Sequence, residues 1–252
     1  MHEAFSTKIV SSKALRRKSL FAFVIFTVLV AASWYGFRWI NKQPQEAGAL
    51  RPLRRMLSFN EKVFSTTFDS NHLVKEYPIS EAAKSVRVNG SDGMSGEVNE
   101  DTWRLKVVRA PGDTLQVTLN DIKQLPKKDI VFDFKCIEGW DQVTHWAGVP
   151  LKTFLQHYHL EEQEKMNYVG LQTPDKSYYV GIDMPSALHP QTMLCYEMNG
   201  KPLPNNQGFP LRLIIPVKYG IKHLKRIGSM FFSNNKPPDY WAERGYDYYA
   251  GH

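Results

Sequence analysis

A long apolar run lies near the start of the chain. It is followed by short segments that are apolar or in which apolar and polar residues alternate. Residues 20–37 carry no charge, and about 20 apolar residues are enough to span the hydrocarbon core of a bilayer. Alternation with a period of two predicts a strand, because successive side chains of a strand point to opposite faces, and a short apolar run bounded by turn residues predicts a buried strand. The predicted strands are 86–90, 103–108, 114–118, 130–134, 168–172, 178–182, 193–198 and 211–217, with further short strands within 221–232.

Only short helices are predicted between these strands. They cover 120–125, where Pro126 ends the pattern, 149–159, where Pro150 opens the first turn, and 184–188. The pattern indicates a mixed α+β domain with many short strands behind one transmembrane helix. We expect a cytoplasmic N-terminus at 1–19, a transmembrane anchor or signal segment at 20–40, a linker at 41–58 and the folded domain at 59–252.

Charges on the two sides of the apolar run predict its orientation. Positive residues are more numerous before it than just after it, which keeps the N-terminus in the cytoplasm. The residues before the run are Lys8, Lys13, Arg16, Arg17 and Lys18, and those after it are Arg38 and Lys42. A signal peptide cleaved after 31–33 is an alternative, and the arginine pair weakly suggests twin-arginine export. We expect a single-pass inner-membrane protein with its domain on the periplasmic or extracytoplasmic side.

The net charge of +7 over 252 residues does not require nucleic acid. The flank of the anchor and three arginines in the expected linker, Arg51, Arg54 and Arg55, account for much of the excess and suit anionic lipid head groups. Basic and aromatic residues do not alternate as they do in single-strand-binding proteins, and no segment reads as a recognition helix. We therefore expect a membrane and no nucleic acid as partner.

Common catalytic motifs are missing from the sequence. It contains no Gly-x-Ser-x-Gly, no phosphate-binding Gly-x-x-x-x-Gly-Lys-Ser/Thr, no His-Glu-x-x-His and no Cys-x-x-Cys. Cys136 stands alone just past the predicted strand 130–134. The second cysteine, Cys195, leaves a disulfide between the two open, since an exported domain permits one.

Four motifs follow one another along the chain. They are Cys-Ile-Glu-Gly-Trp at 136–140, Tyr-Glu-Met-Asn-Gly at 196–200, Gly-Phe-Pro-Leu-Arg-Leu at 208–213 and Tyr-Gly-Ile-Lys at 219–222. Together they resemble the molybdopterin-binding domain of the sulfite oxidase family, including its compact bacterial branch with the periplasmic methionine-sulfoxide reductase catalytic subunit. The resemblance covers about residues 65–250 and implies the same fold.

The resemblance also implies a molybdenum–molybdopterin cofactor. Cys136 would be the protein ligand to the metal, and a soft thiolate suits a metal that is already bound to sulfur. Tyr196 would point toward the substrate. The residues that would hold the cofactor are Asn71, His72, Thr173, Gln207, Arg212, Gly220, Ile221, Lys222 and Lys225. Arg212 lies between two leucines in an apolar strand and therefore needs an anionic partner.

The activity that follows from the resemblance is two-electron oxygen-atom transfer on a small sulfur- or nitrogen-oxide substrate. Sulfite is disfavoured, because Ser70 stands where sulfite oxidases place an arginine before the Asn-His pair. The chain has no haem or iron–sulfur motif, so we expect a membrane haem or quinone-linked protein as electron partner. The alternative is a cofactor-free binding or scaffold module that keeps the fold.

Overall fold

The computed structural model describes residues 11–252, which begin with a long apolar helix. Helix α1 covers Ser12–Asn41 and none of its residues is buried. An 18-residue window within it has a mean hydropathy of 2.1, so the helix is long and apolar enough to cross a membrane. The expected span 20–40 lies inside α1. Of the expected cytoplasmic segment, 12–19 belong to this helix and 1–10 lie outside the described residues.

Within 11–252, five further helices and twelve strands follow the order of the chain. The helices are α2 (Arg51–Thr67), α3 (Leu119–Lys123), α4 (Leu151–His157), α5 (Glu161–Glu164) and α6 (Met184–Ala187). The strands are β1 (Gln45–Glu46), β2 (Ala49–Leu50), β3 (Leu105–Ala110), β4 (Asp113–Val117), β5 (Lys128–Lys135), β6 (Asp141–Pro150), β7 (Tyr168–Gln172), β8 (Tyr179–Asp183), β9 (Met193–Met198), β10 (Lys201–Pro202), β11 (Arg212–Ile214) and β12 (Ser229–Ser233). The expected α+β class is confirmed.

Two five-stranded sheets carry the domain. The first sheet is antiparallel with the order β10-β9-β6-β5, and β11 also pairs with β9. The second sheet has the order β4-β3-β12-β7-β8, in which only the pairing of β12 with β3 is parallel. Parallel strands need a crossover connection. Here all strands of the first sheet lie between β3 and β12 in the sequence. The chain therefore interleaves the two sheets.

Strand β9 shows how the core is divided. Its side chains alternate between two hydrophobic clusters, as the period of two requires. Leu194 and Tyr196 belong to the main core, which takes side chains from both sheets. Met193 and Cys195 belong to a smaller cluster on the other face of the first sheet, together with Trp146. This second face carries the candidate site described below.

The secondary structure predicted from the sequence differs from the structure in two segments of the domain. The predicted strand 86–90 is wrong, because these residues form a loop. The long strand β6 was not predicted, since Gly148 and Pro150 interrupt its alternating pattern. Gly148 is required there because a Cβ atom would lie 2.0 Å from the carbonyl oxygen of Leu194 on β9. The register of β6 against β9 shifts at this point.

The segment 41–58, expected to be a linker, is structured. It contains the β1–β2 hairpin and the first half of α2. Arg54 of α2 donates hydrogen bonds to the carbonyl oxygens of Tyr246 at 2.9 Å and Ala242 at 2.6 Å, and to that of Ala47 in the hairpin. The hairpin, α2 and the turn 242–246 near the C-terminus are therefore held together by one guanidinium.

Removing this guanidinium should loosen the C-terminal turn. We expect Arg54→Ala to lower the free energy of unfolding by about 1–3 kcal/mol, because four carbonyl acceptors, that of Glu46 included, lose a charged donor. Thermal unfolding of the full chain in detergent measures this as a Tm lowered by roughly 3–10 °C. Arg55→Ala, at an exposed position on the same helix, is the matched control. Equal Tm values for the two variants would contradict the role of Arg54.

Candidate active site

A cavity of about 280 Å³ opens on the face of the first sheet that carries the smaller hydrophobic cluster. Four segments of the chain line it: the loop 86–92, the turn and strand at 134–146, the stretch 207–225, and the C-terminal turn with Trp241 and Tyr246. Tyr178 closes one side, and its hydroxyl donates a hydrogen bond to the carbonyl oxygen of Ile221 at 2.7 Å. The cavity is thus built from segments far apart in the sequence.

Cys136 reaches the cavity because of its position in the strand pattern. Ile130 and Phe132 of β5 belong to the smaller hydrophobic cluster and Phe134 packs against it, and the period of two continues this face to Cys136. The backbone N–H of Cys136 donates to the carbonyl oxygen of Trp140 at 2.9 Å, which closes the turn into β6. Cys136 is 5 % exposed and lines the cavity.

The surroundings of the Cys136 thiol have opposing effects on its proton. Burial raises its pKa above the ordinary value, and the negative charge of Glu138 acts in the same direction. A hydrogen bond from the backbone N–H of Glu138 lowers the pKa. The hydrogen bond that Nδ2 of Asn89 donates to Sγ at 3.3 Å and the positive charge of Arg87 lower it further. Burial has the largest effect, so the thiol without a metal holds its proton at neutral pH.

Arg212 provides a buried positive charge at the cavity. Its side chain is 2 % exposed, and burial lowers its pKa to about 10, which leaves it charged at neutral pH. Its Nη1 donates to the carbonyl oxygen and to Oε1 of Gln207, each at 3.0 Å, and the guanidinium lies 4.3 Å from the ring centre of Trp146. Its Nε is buried with no hydrogen-bond partner, and no acidic side chain within 11–252 forms a salt bridge with it.

The loop 86–92 is held over the cavity by side chains from the stretch 207–225. The Nε2 of Gln207 donates to the carbonyl oxygens of Val86 and Arg87, each at 3.3 Å. The Nζ of Lys225 donates to the carbonyl oxygens of Asn89 and, at 3.0 Å, Gly90. Burial, and next the charge of Arg212, lower the pKa of Lys225 to about 8. These bonds place Asn89 against the thiol.

The structure brings six of the residues expected at the site to this cavity. They are Cys136, Gln207, Arg212, Gly220, Ile221 and Lys225. Gly220 and Ile221 belong to a turn of 3₁₀ helix and lie close to β5, where a Cβ atom on Gly220 would come within 2.9 Å of the Phe134 ring. Residues of motifs distant in the sequence therefore line one cavity.

Tyr196 is expected to point at the substrate, but the structure places it elsewhere. Its side chain packs in the main core, on the face of the first sheet opposite Cys195 and Trp146. Trp146 lines the cavity, so the cavity lies on the face of the sheet that carries Cys195. Tyr196 is the next residue of β9 and therefore faces away from the cavity. The alternation along β9 is the physical reason for this correction.

The Asn71-His72 pair also lies away from the cavity. Asn71 is exposed and its side chain donates to Oδ1 of Asp69 at 3.0 Å. The carbonyl oxygen of His72 lies 3.3 Å from Nε2 of His189, which fixes the segment against the β9 side of the fold. The argument from Ser70 against sulfite therefore loses its structural basis, because this position does not adjoin the cavity.

Two further residues expected to bind the cofactor have structural roles. Thr173 donates through Oγ1 to Asp175 at 2.6 Å, and a Cβ atom on Gly93 would clash with its side chain at 2.3 Å. Lys222 is 1 % exposed, and its Nζ forms a buried ion pair with Asp239 at 2.5 Å and donates to the Gly181 carbonyl oxygen at 3.0 Å. Neither side chain lines the cavity.

Several cavity residues were not found from the sequence. Asn89 contacts the thiol, and Arg87 lies 4.6 Å from the ring centre of Trp140 at the cavity. Trp241 and Tyr246 come from the C-terminal turn that Arg54 holds. The signal available in the sequence is the pair Asn89-Gly90 after the alternating residues 86–88, a pattern that predicts the end of a strand.

Comparisons with known proteins show the family of this chain. The family described as oxidoreductase molybdopterin binding domain matches residues 72–241. The chain belongs to this family. It is therefore a molybdopterin-binding oxidoreductase of the sulfite oxidase type.

Two relatives carry names that refer to methionine-sulfoxide reduction. A protein of Azospira oryzae with the provisional name protein-methionine-sulfoxide reductase subunit YedZ1 is 37% identical over 79% of this chain and 76% of its own length. The protein-methionine-sulfoxide reductase catalytic subunit MsrP of Ralstonia nicotianae is 30% identical over 62% of this chain and 52% of its own length.

A solved structure supports the fold. The sulfane dehydrogenase SoxCD of Paracoccus pantotrophus matches 56% of this chain and 41% of its own chain, with a TM-score of 0.50 and 18% identity. At this identity the match bears on the fold alone. It agrees with the mixed α and β architecture expected from the sequence.

The residues at the cavity fit the cofactor of this family. Molybdopterin carries a phosphate, and the buried Arg212 has an unused Nε donor and no carboxylate partner among the described residues. A guanidinium suits a phosphate, since it offers several donors in a fixed plane. The thiol of Cys136 lies on the same cavity and has the softness that molybdenum requires.

The alternative of a disulfide between the two cysteines is not supported. Cys136 and Cys195 are both free and buried. Cys195 packs in the smaller hydrophobic cluster, and its complete burial raises its pKa strongly. It is therefore a core residue.

The thiol environment predicts how Cys136 reacts in the cofactor-free protein. Because burial raises its pKa, we expect the rate of alkylation by iodoacetamide to rise with a midpoint above about 8.5, the value of an ordinary cysteine. Asn89→Ala should move this midpoint higher still, since the hydrogen bond from Asn89 favours the thiolate. Mass spectrometry of peptides from the full chain follows each cysteine, with the unreactive Cys195 as internal control. A midpoint below that of free cysteine would contradict the prediction.

Proposed function

We propose that this protein is a membrane-anchored molybdenum-cofactor oxidoreductase that catalyses two-electron oxygen-atom transfer on a small sulfur- or nitrogen-oxide substrate. The observation that carries the proposal is the buried guanidinium of Arg212, which lines the same cavity as the Cys136 thiol and has a donor without a partner. An unpaired buried cation destabilises a fold by several kcal/mol in order of magnitude unless an anion joins it. A cofactor phosphate supplies that anion.

Each cavity residue has a role in holding the cofactor. Arg212 binds the phosphate, while Gln207 and Lys225 fix the loop 86–92 and offer polar groups to the pterin. The backbone at Gly220 and Ile221 lies on the same wall. Cys136 gives its thiolate to molybdenum. When bound, the cofactor supplies a metal centre that exchanges an oxygen atom and two electrons with the substrate.

Side chains at the cavity determine the protonation of the thiol. Metal binding requires Cys136 to lose the proton that burial favours, and Asn89 then donates to the resulting thiolate. The amine of Lys225, with a pKa of about 8, can hold or release a proton at Nζ near neutral pH. The aromatic side chains of Trp140, Trp241 and Tyr246 limit the access of water to this region.

Among the possible substrates we favour a sulfoxide, because both relatives carry names of methionine-sulfoxide reductases. We place the domain on the periplasmic side of the inner membrane with α1 as its anchor. The electron partner in this proposal is a membrane haem or quinone-linked protein.

Exchange of Cys136 tests the metal ligand. In full chain produced in a molybdopterin-competent host, Cys136→Ser should reduce sulfoxide turnover with a dye electron donor below about one hundredth of the wild-type rate, because oxygen is a poorer ligand for the site. Cys195→Ala, which removes the other buried thiol, should keep turnover. Retained activity in Cys136→Ser would contradict the assignment.

Exchange of Arg212 tests the phosphate site. Arg212→Met keeps much of the apolar volume and removes the charge, so molybdenum per chain should fall about tenfold or more, whereas Arg212→Lys should lose less because the charge remains. Metal analysis of the purified full chain gives the occupancy. Unchanged occupancy in Arg212→Met would remove this residue from the phosphate site.

The scaffold alternative is tested by the unsubstituted chain. If it contains less than about a tenth of an equivalent of molybdenum after production in the same host, the enzyme proposal fails, since a bound metallocofactor is stoichiometric with its site. No observation in the described part of the chain favours this alternative. Sulfoxides, N-oxides and sulfite tested side by side then identify the substrate class.

A further inference from the structure

Helix α2 has an apolar face that no part of the described domain covers. Its opposite face packs on the domain, where Arg54 bonds the C-terminal turn and Glu61 pairs with Lys236 at 2.5 Å. At 3.6 residues per turn, positions 54, 57, 58 and 61 lie together on that inner face. The apolar face is roughly opposite.

Five apolar side chains form this outer face, and each is 43–59% exposed. They are Leu53, Met56, Phe59, Val63 and Phe64. Their spacing places them on one side of the helix. An exposed stripe of large apolar residues is costly in water and marks a surface that contacts another apolar phase.

Basic residues flank the apolar face. Arg55 and Lys62 are exposed and lie along one edge, and Arg51, which pairs with Glu46 at 3.7 Å, extends that edge at the start of the helix. A row of basic residues beside an apolar face suits a surface with an apolar interior and a negatively charged boundary. Anionic lipid head groups at the boundary of a bilayer have this chemistry.

The position of α2 in the chain brings it to such a boundary. Only residues 42–50 separate α1 from α2, a distance of at most about 30 Å when extended and less here because the β1–β2 hairpin folds back. The last turns of α1 carry Trp34, Tyr35 and Trp39, each at least 59% exposed. Aromatic residues at one end of an apolar helix are typical of the membrane–water interface.

From these observations we propose that α2 lies flat in the outer head-group region of the membrane, with its apolar face in the lipid and the domain on its other side. The inference rests on the proposed anchoring by α1. It goes further, because it fixes the orientation of the domain: Arg54 joins α2 to the turn that carries Trp241 and Tyr246 of the cavity wall. The cavity is therefore held at a set height above the bilayer.

Nitroxide labels on the full chain test this placement. The chain is reconstituted in vesicles of about one part phosphatidylglycerol to three parts phosphatidylcholine, with a label at Met56→Cys or Val63→Cys. Val28→Cys in α1 serves as the lipid control and Gln116→Cys, exposed on β4, as the aqueous control. The unsubstituted chain, treated in the same way, corrects for labelling of the native cysteines.

We expect the ratio of collisions with oxygen to collisions with a water-soluble nickel chelate to be about threefold higher or more at Met56→Cys and Val63→Cys than at Gln116→Cys, as for a side chain buried in the lipid interface. Ratios equal to that at Gln116→Cys, with Val28→Cys in lipid, would overturn this inference alone. An aqueous ratio at Val28→Cys as well would overturn the anchoring with it. Labels shielded from both reagents would show a protein contact instead, and would also overturn the inference.

Discussion

The buried guanidinium of Arg212 is the constraint around which the cavity is organised. It is nearly inaccessible to water, keeps its charge at neutral pH, and has no acidic partner among the described residues. The face of Trp146 and the amide of Gln207 stabilise it only in part, because neither neutralises a full charge. An anion that enters from the cavity would lower the cost of burying this cation. A phosphate-bearing cofactor meets that need, and the molybdopterin-binding family supplies one.

The rest of the structure positions groups around this charge. The face of the first sheet places Phe134 and Cys136 in line, and the bonds from Gln207 and Lys225 hold the loop 86–92 so that Asn89 contacts the thiol. The C-terminal turn completes the wall. Since Arg54 ties this turn to α2, this helix and the cavity wall form one connected structure.

Much of the fold could be predicted from the sequence because its strands are short alternating or apolar runs bounded by turn residues. Strand β9 matches the predicted 193–198 residue for residue, and β7 matches 168–172. The prediction from the sequence was wrong where tertiary contacts override the local pattern of residues. Strand β6 contains a glycine that close approach to β9 requires. Helix α2 begins inside the segment 41–58, which was expected to be a linker, and its apolar residues are exposed.

The candidate site was predicted in part for the same reason. Motifs that carry unusual residues, such as Cys136 and Arg212, identified the cavity. The expected position of Tyr196 differs from the structure because successive side chains of a strand point to opposite faces of the sheet. Asn71 and His72 were chosen from a local motif, whereas the contact of Asn89 with the thiol depends on hydrogen bonds from residues more than 100 positions away. No spacing rule in a single sequence reveals such a contact.

We propose that Cys136 binds the metal of a cofactor held in this cavity. X-ray absorption spectroscopy at the molybdenum edge, on the full chain and on Cys136→Ser with matched metal content, measures the sulfur ligands of that metal. We expect one sulfur scatterer fewer at the molybdenum in the variant than in the wild type, since a thiolate is replaced by an oxygen or lost. The same number of sulfur scatterers in both proteins would contradict it.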